Sequence, residues 1–238
     1  MVEGPTLLAE ALAAGTPIEA VFVPAGAPAV PEVRQAWDAG VRVYDLAPGV
    51  LERVAETVTP QPVLAIAAMP EVSLDALTGS GPVVVCVDVR DPGNLGTLVR
   101  SAEAAGAAGV VCCGGTVDVY NPKCVRASAG ALFHLAVVSG GRAEQVLADL
   151  AGVGRVCLGA AVGAGDTYTE ADLARPLAFV FGNEASGIPA DLGPALDGWV
   201  HIPIEGRSES LNVGMACAVL CFEAARQRHR VGAARSGS

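Results

Sequence analysis

The sequence predicts an α/β protein in two parts, a small α/β sandwich followed by a larger domain built on a parallel sheet. Helix and strand patterns alternate along the chain, and apolar runs of strand length alternate with turn-forming residues. A stretch without periodicity, rich in Pro, Gly and Ser, separates the two parts. We therefore predict a small domain over 1–70, a linker over 71–81 and a large domain over 82–238.

The composition is that of a globular protein with a sizeable core. Of the 238 residues, 52% are hydrophobic and only 17% are charged. No apolar run approaches the ~18 residues that a membrane-spanning helix needs. The N-terminus lacks a basic segment followed by a small-residue cleavage site. We therefore expect a soluble, cytoplasmic protein without a membrane partner.

In the small domain, three helix patterns alternate with three strand patterns. Pro5 begins the first helix and Gly15 ends it, which is the usual placement of these two residues. The further predicted elements are a strand over 18–23, a helix over 31–39, a strand over 41–44, a helix over 46–58 and a strand over 63–67.

The large domain begins with a β-branched run over 83–87, which is typical of a strand buried on both faces of a parallel sheet. The last predicted helix places Leu211, Met215, Val219 and Phe222 on one apolar face. The further predictions are strands over 109–113, 134–138, 156–158, 177–181 and 199–202, and helices over 96–105, 142–150 and 209–226.

Several common functional motifs are absent from the sequence. It contains no G-x-x-x-x-G-K-[ST] phosphate loop, no G-x-G-x-x-G after a strand and no G-x-S-x-G nucleophile turn. The seven cysteines include no C-x-x-C pair and only three histidines are present. We therefore expect reduced thiols and no metal site.

The charge argues against a dedicated nucleic-acid binder. The net charge is −10, and residues 1–80 alone carry ten acidic and three basic side chains, which gives −7. Nucleic-acid-binding domains are usually basic. Any case for an RNA partner must therefore rest on local clusters.

Three segments share one pattern, in which an apolar strand is followed by a Gly, Asn or Ser loop and then by a helix. They cover residues 88–106, 179–189 and 201–226. Asn94 stands where an N-cap residue would stand, and Arg100 lies one and a half turns further on. Ligands of open α/β sheets bind at the carboxyl ends of strands. Each segment by itself also fits a capped helix or an ordinary turn.

Together the three segments resemble the SPOUT superfamily of S-adenosylmethionine-dependent methyltransferases, specifically the TrmH (SpoU) family of RNA ribose 2′-O-methyltransferases. The family motifs N-x-G-x-x-x-R-x-A, F-G-x-E-x-x-G and I-P-x-x-G-x-x-x-S-L-N-V occur here in order and with matching spacing. The matching residues are Asn94, Gly96, Arg100, Ala102, Phe181, Gly182, Glu184, Gly187, Ile202, Pro203, Gly206, Ser210, Leu211, Asn212 and Val213.

The resemblance implies a parallel sheet with a C-terminal trefoil knot, a small domain similar to ribosomal protein L30e, and a homodimer whose site is completed across the interface. It implies S-adenosylmethionine as the cofactor, bound by Gly182, Gly187, Ile202, Leu211 and Asn212. The catalytic residues that it implies are Arg100, Asn94, Glu184, Ser210 and Asn212.

The segment 120–138 also resembles the family and carries the expected RNA contacts Lys123, Arg126 and Ser128. The family assigns removal of the hydroxyl proton to the arginine of the first motif. A guanidinium with a pKa above ~12 is a poor base. We therefore favour Arg100 as a ligand of the adjoining phosphate and of the developing alkoxide.

The resulting hypothesis is S-adenosylmethionine-dependent methylation of a ribose 2′-hydroxyl in RNA, with 23S rRNA favoured over tRNA. The alternatives are a tRNA 2′-O-methyltransferase, a non-catalytic regulator that binds S-adenosylmethionine or RNA, and a small-molecule O-methyltransferase. The presence of Asn94 and Arg100 speaks against the regulator. Lys123 and Arg126 speak against the small-molecule enzyme.

Overall fold

The computed structural model describes residues 1–55 and 59–236 and contains two β-sheets. The first sheet belongs to the N-terminal part of the chain. The elements of that part are β1 (Val2–Glu3), α1 (Pro5–Ala13), β2 (Ile18–Pro24), α2 (Pro31–Asp38), β3 (Arg42–Leu46), α3 (Leu51–Val54) and β4 (Leu64–Ala67).

The first sheet has the strand order β1-β4-β2-β3, with β2 parallel to β3 and antiparallel to β4. Val21 and Ala65 stand opposite each other on β2 and β4 and share a buried core with Leu8 of α1 and Ala36 of α2. Pro5 occupies the first turn of α1, where its missing amide costs no hydrogen bond.

The second part is larger and holds the remaining elements. They are β5 (Val83–Cys86), α4 (Pro92–Ala104), β6 (Gly109–Cys112), α5 (Pro122–Ala127), β7 (Val137–Ser139), α6 (Ala143–Gly152), β8 (Val156–Ala160), β9 (Asp166–Thr167), β10 (Leu177–Phe181), β11 (Gly198–His201) and α7 (Val213–Ser236).

The second sheet is parallel throughout and has the order β7-β6-β5-β10-β8-β11-β9. Every residue of β5 and β10 is buried, as the apolar runs predict. Side chains on one face pack against α4 and α7, and those on the other face pack against α6. The carboxyl ends of β5, β10 and β11 therefore meet at one edge, where ligands of such sheets bind.

The helix predicted over 46–58 is shorter than expected. Leu46 still belongs to β3, where it pairs with Pro24 of β2, so the helix begins only at Leu51. Ala55 has an extended backbone and ends the helix after Val54. The predicted positions 56–58 lie outside the described residues.

Two further helix starts differ from the prediction because other residues cap them. Helix α4 begins at Pro92 rather than at 96, and Asp91 caps it: its Oδ1 accepts a 2.9 Å hydrogen bond from the amide of Asn94. Asn94 is thus inside the first turn and is not the N-cap. Helix α7 begins at Val213 rather than at 209, and Asn212 accepts a 2.9 Å hydrogen bond from the amide of Gly214.

The strand predicted over 134–138 begins later, at Val137, because Ala131–Phe133 form a short 3-10 helix. Strands β1 and β9 were not predicted. Each has two residues, which is too short for an alternating pattern to stand out.

The apolar face predicted for the last helix lies on its exposed side. The buried side of α7 instead consists of Cys217, Leu220, Cys221 and Ala224, which pack into the same core as α4. Met215 is 56% exposed and Phe222 is 52% exposed. Three small residues and Leu220 thus form the packed side of the helix, and Met215 and Phe222 are left without cover in this chain.

A buried arginine fixes the segment that joins the two parts. The guanidinium of Arg155 donates to the carbonyl oxygens of Gly81 at 2.9 Å, Leu77 and Gly79 at 3.1 Å, and Leu177 at 3.3 Å. Residues 71–81 contain one short 3-10 helix and are otherwise irregular. Arg155 therefore takes the place that regular secondary structure would have in satisfying these carbonyls.

Two pairs of side chains connect the parts. Arg126 Nη1 lies 3.6 Å from the carboxylate of Glu3, which is buried, and His134 Nε2 lies 2.8 Å from the carboxylate of Glu10. Gly130 lies directly against Glu10, where a Cβ atom would overlap its side chain. In the described part of the chain, no helix has the length and hydropathy required to cross a bilayer.

We expect Arg155→Met to lower the free energy of unfolding by about 3 kcal/mol, because several buried carbonyl groups would lose their hydrogen-bond donor. Urea titration followed by circular dichroism measures this loss. Arg142→Met is the matched control, since the Arg142 side chain is 85% exposed and should change stability by less than about 0.5 kcal/mol. An Arg155 variant as stable as that control would contradict the role assigned to Arg155.

Candidate active site

A cavity of about 460 Å³ opens at the carboxyl ends of β10 and β11. Its wall is formed by the loops that follow these strands, by the start of α4 and by the start of α7. The predicted site residues that line it are Asn94, Gly182, Glu184, Gly187, Ile202, Ser210, Leu211 and Asn212. Sequence segments that are separated by more than a hundred positions thus form a single site.

The loop after β10 is closed on itself by the main chain. Asn183 and Gly187 exchange backbone hydrogen bonds of 3.0 and 2.8 Å, and Gly187 has a φ of +72°, which favours glycine. A Cβ atom on Gly182 would overlap the main chain of Gly187 and Ile188. The glycines of this motif are therefore required for the close packing of the loop.

Asn183 organises the same loop, although we predict no role for it from the sequence. Its side-chain oxygen accepts hydrogen bonds from the amides of Ala185 at 3.0 Å and Ser186 at 3.1 Å. Its side-chain nitrogen donates to the carbonyl of Asp88 at 2.9 Å, which connects the loop to the end of β5. The direct succession of Gly, Asn and Glu after an apolar strand is the signal that could have identified it.

Glu184 accepts three hydrogen bonds from the turn that precedes and begins α4. The donors are the amide of Arg90 at 3.2 Å, the amide of Asp91 at 3.1 Å and Nδ2 of Asn94 at 3.0 Å. Burial acts to raise the pKa of Glu184, but the bonds from Asn94 and from the two amides outweigh it and hold this pKa below its ordinary value. The carboxylate is therefore ionised at neutral pH and serves as an acceptor.

Asn94 connects Glu184 to the third motif through hydrogen bonds on both sides of its amide. Because the Glu184 carboxylate only accepts, Asn94 presents its Nδ2 to Glu184 and its Oδ1 to Asn212, whose Nδ2 donates at 2.7 Å. The Oδ1 atom of Asn212 then accepts from the amide of Gly214 at the start of α7. One directional hydrogen-bonded chain thus connects the three motifs.

Arg100 is the one predicted catalytic residue that does not line the cavity. It is exposed and lies six residues after Asn94 on α4. Its guanidinium makes no hydrogen bond or ion pair to any residue in the ranges 1–55 and 59–236. This leaves its donors available to a molecule outside the chain.

The three predicted RNA contacts differ in their surroundings. Lys123 is exposed and its Nζ lies 3.0 Å from Oδ2 of Asp91. Ser128 is 1% exposed and donates its hydroxyl to the carbonyl of Val125 at 2.8 Å, so burial excludes the contact with RNA that we predicted for it. Arg126 is paired with Glu3 and holds the two parts of the chain together. Lys123 and Arg126, whose side chain is 31% exposed, stay predictions as RNA contacts.

All seven cysteines are buried and unpaired. Burial raises the pKa of Cys113 and of Cys124 to about 12, so both thiols are protonated at neutral pH. Among the described residues, no group of three or more His, Cys, Asp or Glu side chains could hold a metal ion.

We expect Glu184→Gln to lower the melting temperature at pH 7, because the amide replaces one acceptor oxygen by a donor. The folded-state pKa of Glu184 is depressed, so its stabilising effect is complete above the unfolded value of ~4.3 and is lost as pH falls through the folded value. The difference between wild type and variant should therefore shrink below about pH 4. Thermal melts at pH 7, 5 and 3.5 measure it.

The exposed Glu19 provides a control, since Glu19→Gln should follow the wild type at every pH. A difference between wild type and Glu184→Gln that stays constant from pH 7 to the acid limit would contradict the role given to the ionised carboxylate.

Comparison with known proteins agrees with this geometry over both parts of the chain. Residues 81–222 match the profile of the SpoU rRNA Methylase family, and residues 1–65 match that of the MRM3-like substrate binding domain. The first match covers the strands, the cavity and all three motifs described above.

The chain is 33% identical over 222 residues to the 23S rRNA (guanosine(2553)-2′-O)-methyltransferase RlmP of Bacillus subtilis, covering 93% of this chain and 86% of the relative. It is 32% identical over 191 residues to the 23S rRNA (uridine(2479)-2′-O)-methyltransferase of Streptomyces viridochromogenes, covering 77% and 67%.

Among solved structures, the SpoU methyltransferase AviRb from Streptomyces viridochromogenes in complex with AdoMet superposes with a TM-score of 0.88 at 28% identity, covering 96% of this chain and 89% of that one. The α/β class with a parallel sheet is thereby confirmed. The family predicted from the three motifs is confirmed as well: the chain belongs to the SpoU rRNA methylase family, and with it to the S-adenosylmethionine-dependent RNA 2′-O-methyltransferases.

Proposed function

We propose that this chain transfers the methyl group of S-adenosylmethionine to a ribose 2′-hydroxyl of 23S rRNA. The observation that carries the proposal is the hydrogen-bonded chain of Glu184, Asn94 and Asn212, which joins the three family motifs at the wall of one cavity. The relatives from Bacillus subtilis and Streptomyces viridochromogenes are both 23S rRNA 2′-O-methyltransferases, which supports this RNA as the substrate.

The residues of the cavity fit the cofactor. Ile202 and Leu211 give it an apolar wall that suits the adenine ring, and Gly182 lies at the same wall. Nδ1 of His201 is buried at this wall and has no hydrogen-bond partner in the described part of the chain, so a ligand can satisfy it. When bound, S-adenosylmethionine supplies an electrophilic methyl group on a sulfonium that leaves as a neutral thioether.

The chain's own task is to place the ribose hydroxyl and to stabilise the charge that develops on its oxygen. Asn94 is fixed on both sides and therefore holds the first turn of α4, the helix that carries Arg100. We assign to Arg100 the binding of the phosphate beside the target ribose and of the developing alkoxide, while the proton of the hydroxyl leaves late in the transfer or through water. The hydroxyl of Ser210 makes no hydrogen bond among the described residues and lines the cavity, so it can orient the ribose.

A homodimer is part of the proposal. Met215 and Phe222 lie exposed on one side of α7, and Leu211, which precedes the helix and lines the cavity, is exposed as well. A second copy of the chain on this surface would cover these apolar side chains and place its own residues at the cavity mouth. In this arrangement Arg100, which lies outside the cavity of its own chain, would complete the site of the second copy.

Three further features extend the proposal. We propose a trefoil knot formed by the segment 202–212, supported by the bond from Asn212 to Asn94 and by the packing of α7 on α4. We propose that residues 1–70 are an L30e-like unit that binds the RNA, supported by the match of 1–65 to a substrate binding domain. A cytoplasmic location follows from an rRNA substrate.

We expect wild-type protein to transfer tritiated methyl groups to 23S rRNA, and not to 16S rRNA or tRNA, when each is incubated separately. Arg100→Ala should lower this transfer at least a hundredfold, because loss of one preorganised charged donor costs about that much. Arg175→Ala is the control, since Arg175 is exposed and precedes β10 at the opposite edge of the sheet. Methyl label in tRNA alone would identify tRNA instead of 23S rRNA as the substrate. Binding of S-adenosylmethionine without label in any RNA would favour a non-catalytic regulator.

We expect Met215→Glu and Phe222→Glu to produce monomers with little methyl transfer, because each places a charge in the proposed contact between two copies. Sedimentation equilibrium distinguishes the chain mass of 23.9 kDa from twice that value. Met69→Glu is the matched control, because Met69 is 67% exposed and lies just before the joining segment 71–81. A wild-type protein that sediments as an active monomer would refute the dimer.

A further inference from the structure

Arg90 is an exposed cation beside the cavity that the function described so far does not use. Its side chain is 73% exposed, and its Nε donates to Oδ1 of Asp88 at 2.9 Å. In the described ranges, its two terminal nitrogens make no hydrogen bond. The guanidinium is thus fixed at one nitrogen and keeps four N–H donors for a partner outside the chain.

The backbone of Asp88 is held in an unusual conformation. Its φ is +58°, and Ala129 is the only other non-glycine residue with a positive φ among those described. Asp tolerates this region better than most residues, but glycine would be less strained. An exposed ion pair contributes little to stability and does not compensate for such strain. The conformation does place a carboxylate beside Arg90.

The segment that carries Arg90 is anchored to the wall of the cavity at both ends. The carbonyl of Asp88 accepts a hydrogen bond from Asn183, and the amides of Arg90 and Asp91 donate to the carboxylate of Glu184. The position of Arg90 therefore depends on the same loop that forms the cofactor cavity.

Lys123 contacts the same segment. Its Nζ contacts Oδ2 of Asp91, whose Oδ1 caps the amide of Asn94. Two exposed cations are therefore each held by one carboxylate next to the turn that leads to Asn94. The net charge of the chain is −10, but this local pair of cations suits two successive phosphates of an RNA strand.

We propose that Arg90 binds a backbone phosphate of the substrate RNA next to the target ribose, and that Asp88 is the positioning residue that orients its guanidinium. The inference rests on the proposed function and adds to it a contact outside the three motifs. Arg90 would act together with Lys123, so that the strand is held at two points when the ribose enters the cavity.

The first test compares Arg90→Gln with the wild type on 23S rRNA transcripts. We expect the KM for RNA to rise about tenfold, as for the loss of one charge-assisted hydrogen bond, and the Kd for S-adenosylmethionine measured by calorimetry to stay unchanged. The slope of log K for RNA against log salt should fall by about 1. Arg175→Gln removes the same charge at the opposite edge of the sheet and should change none of these values.

The second test measures whether Asp88→Asn raises or lowers the KM for RNA. Asparagine tolerates the positive φ, so the fold is kept, and the substitution removes a negative charge beside the site. General electrostatics alone would then strengthen RNA binding. The positioning role requires the opposite, a KM for RNA raised towards that of Arg90→Gln. In the double variant, Asp88→Asn should add nothing to Arg90→Gln.

The outcomes separate the inference from the proposed function. Wild-type methylation of RNA with equal KM values for Arg90→Gln and Arg175→Gln, or tighter RNA binding by Asp88→Asn, would overturn the inference and leave the function in place. A wild-type protein that neither binds nor methylates any RNA would overturn both.

Discussion

The carboxylate of Glu184 accepts three hydrogen bonds from the turn that begins α4, and the rest of the site depends on this interaction. Because an ionised carboxylate can only accept, it determines which way the amide of Asn94 points. Asn94 in turn determines the orientation of Asn212, and Asn212 caps α7. A single negative charge thereby fixes two loops and a helix start that the sequence places far apart.

This hydrogen-bonded chain is possible only where elements approach closely. Gly214 at the start of α7 lies against Thr97 of α4, and a Cβ atom there would come within 2.8 Å of the threonine side chain. Gly96 lies in the same way against α5. Larger residues at these positions would move Asn94 away from Asn212. The small residues of the motifs thus allow the helices to approach closely, and the polar residues form hydrogen bonds across these short distances.

The structure shows where part of the negative charge of the chain is used, which the net charge alone does not indicate. Glu3 and Glu10, in the acidic N-terminal part, pair with Arg126 and His134 of the large part. Some of the excess negative charge therefore holds the two parts together. The same pairing places a carboxylate 3.6 Å from Arg126, whose side chain remains 31% exposed.

The sequence by itself determined the α/β class, the family and the motif residues of the cavity wall, since these depend on local apolar periodicity and on motif spacing. It also determined the enzyme class through the three motifs. Only the tertiary structure decided what each residue does. Ser128, predicted as an RNA contact, is a buried hydroxyl, and Arg126 also pairs with a carboxylate of the N-terminal part. The exposed side of α7 is likewise the predicted apolar face, because the residues that pack into the core with α4 are Cys217, Leu220, Cys221 and Ala224. Burial and pairing depend on residues distant in the chain, and a local pattern carries no information about them.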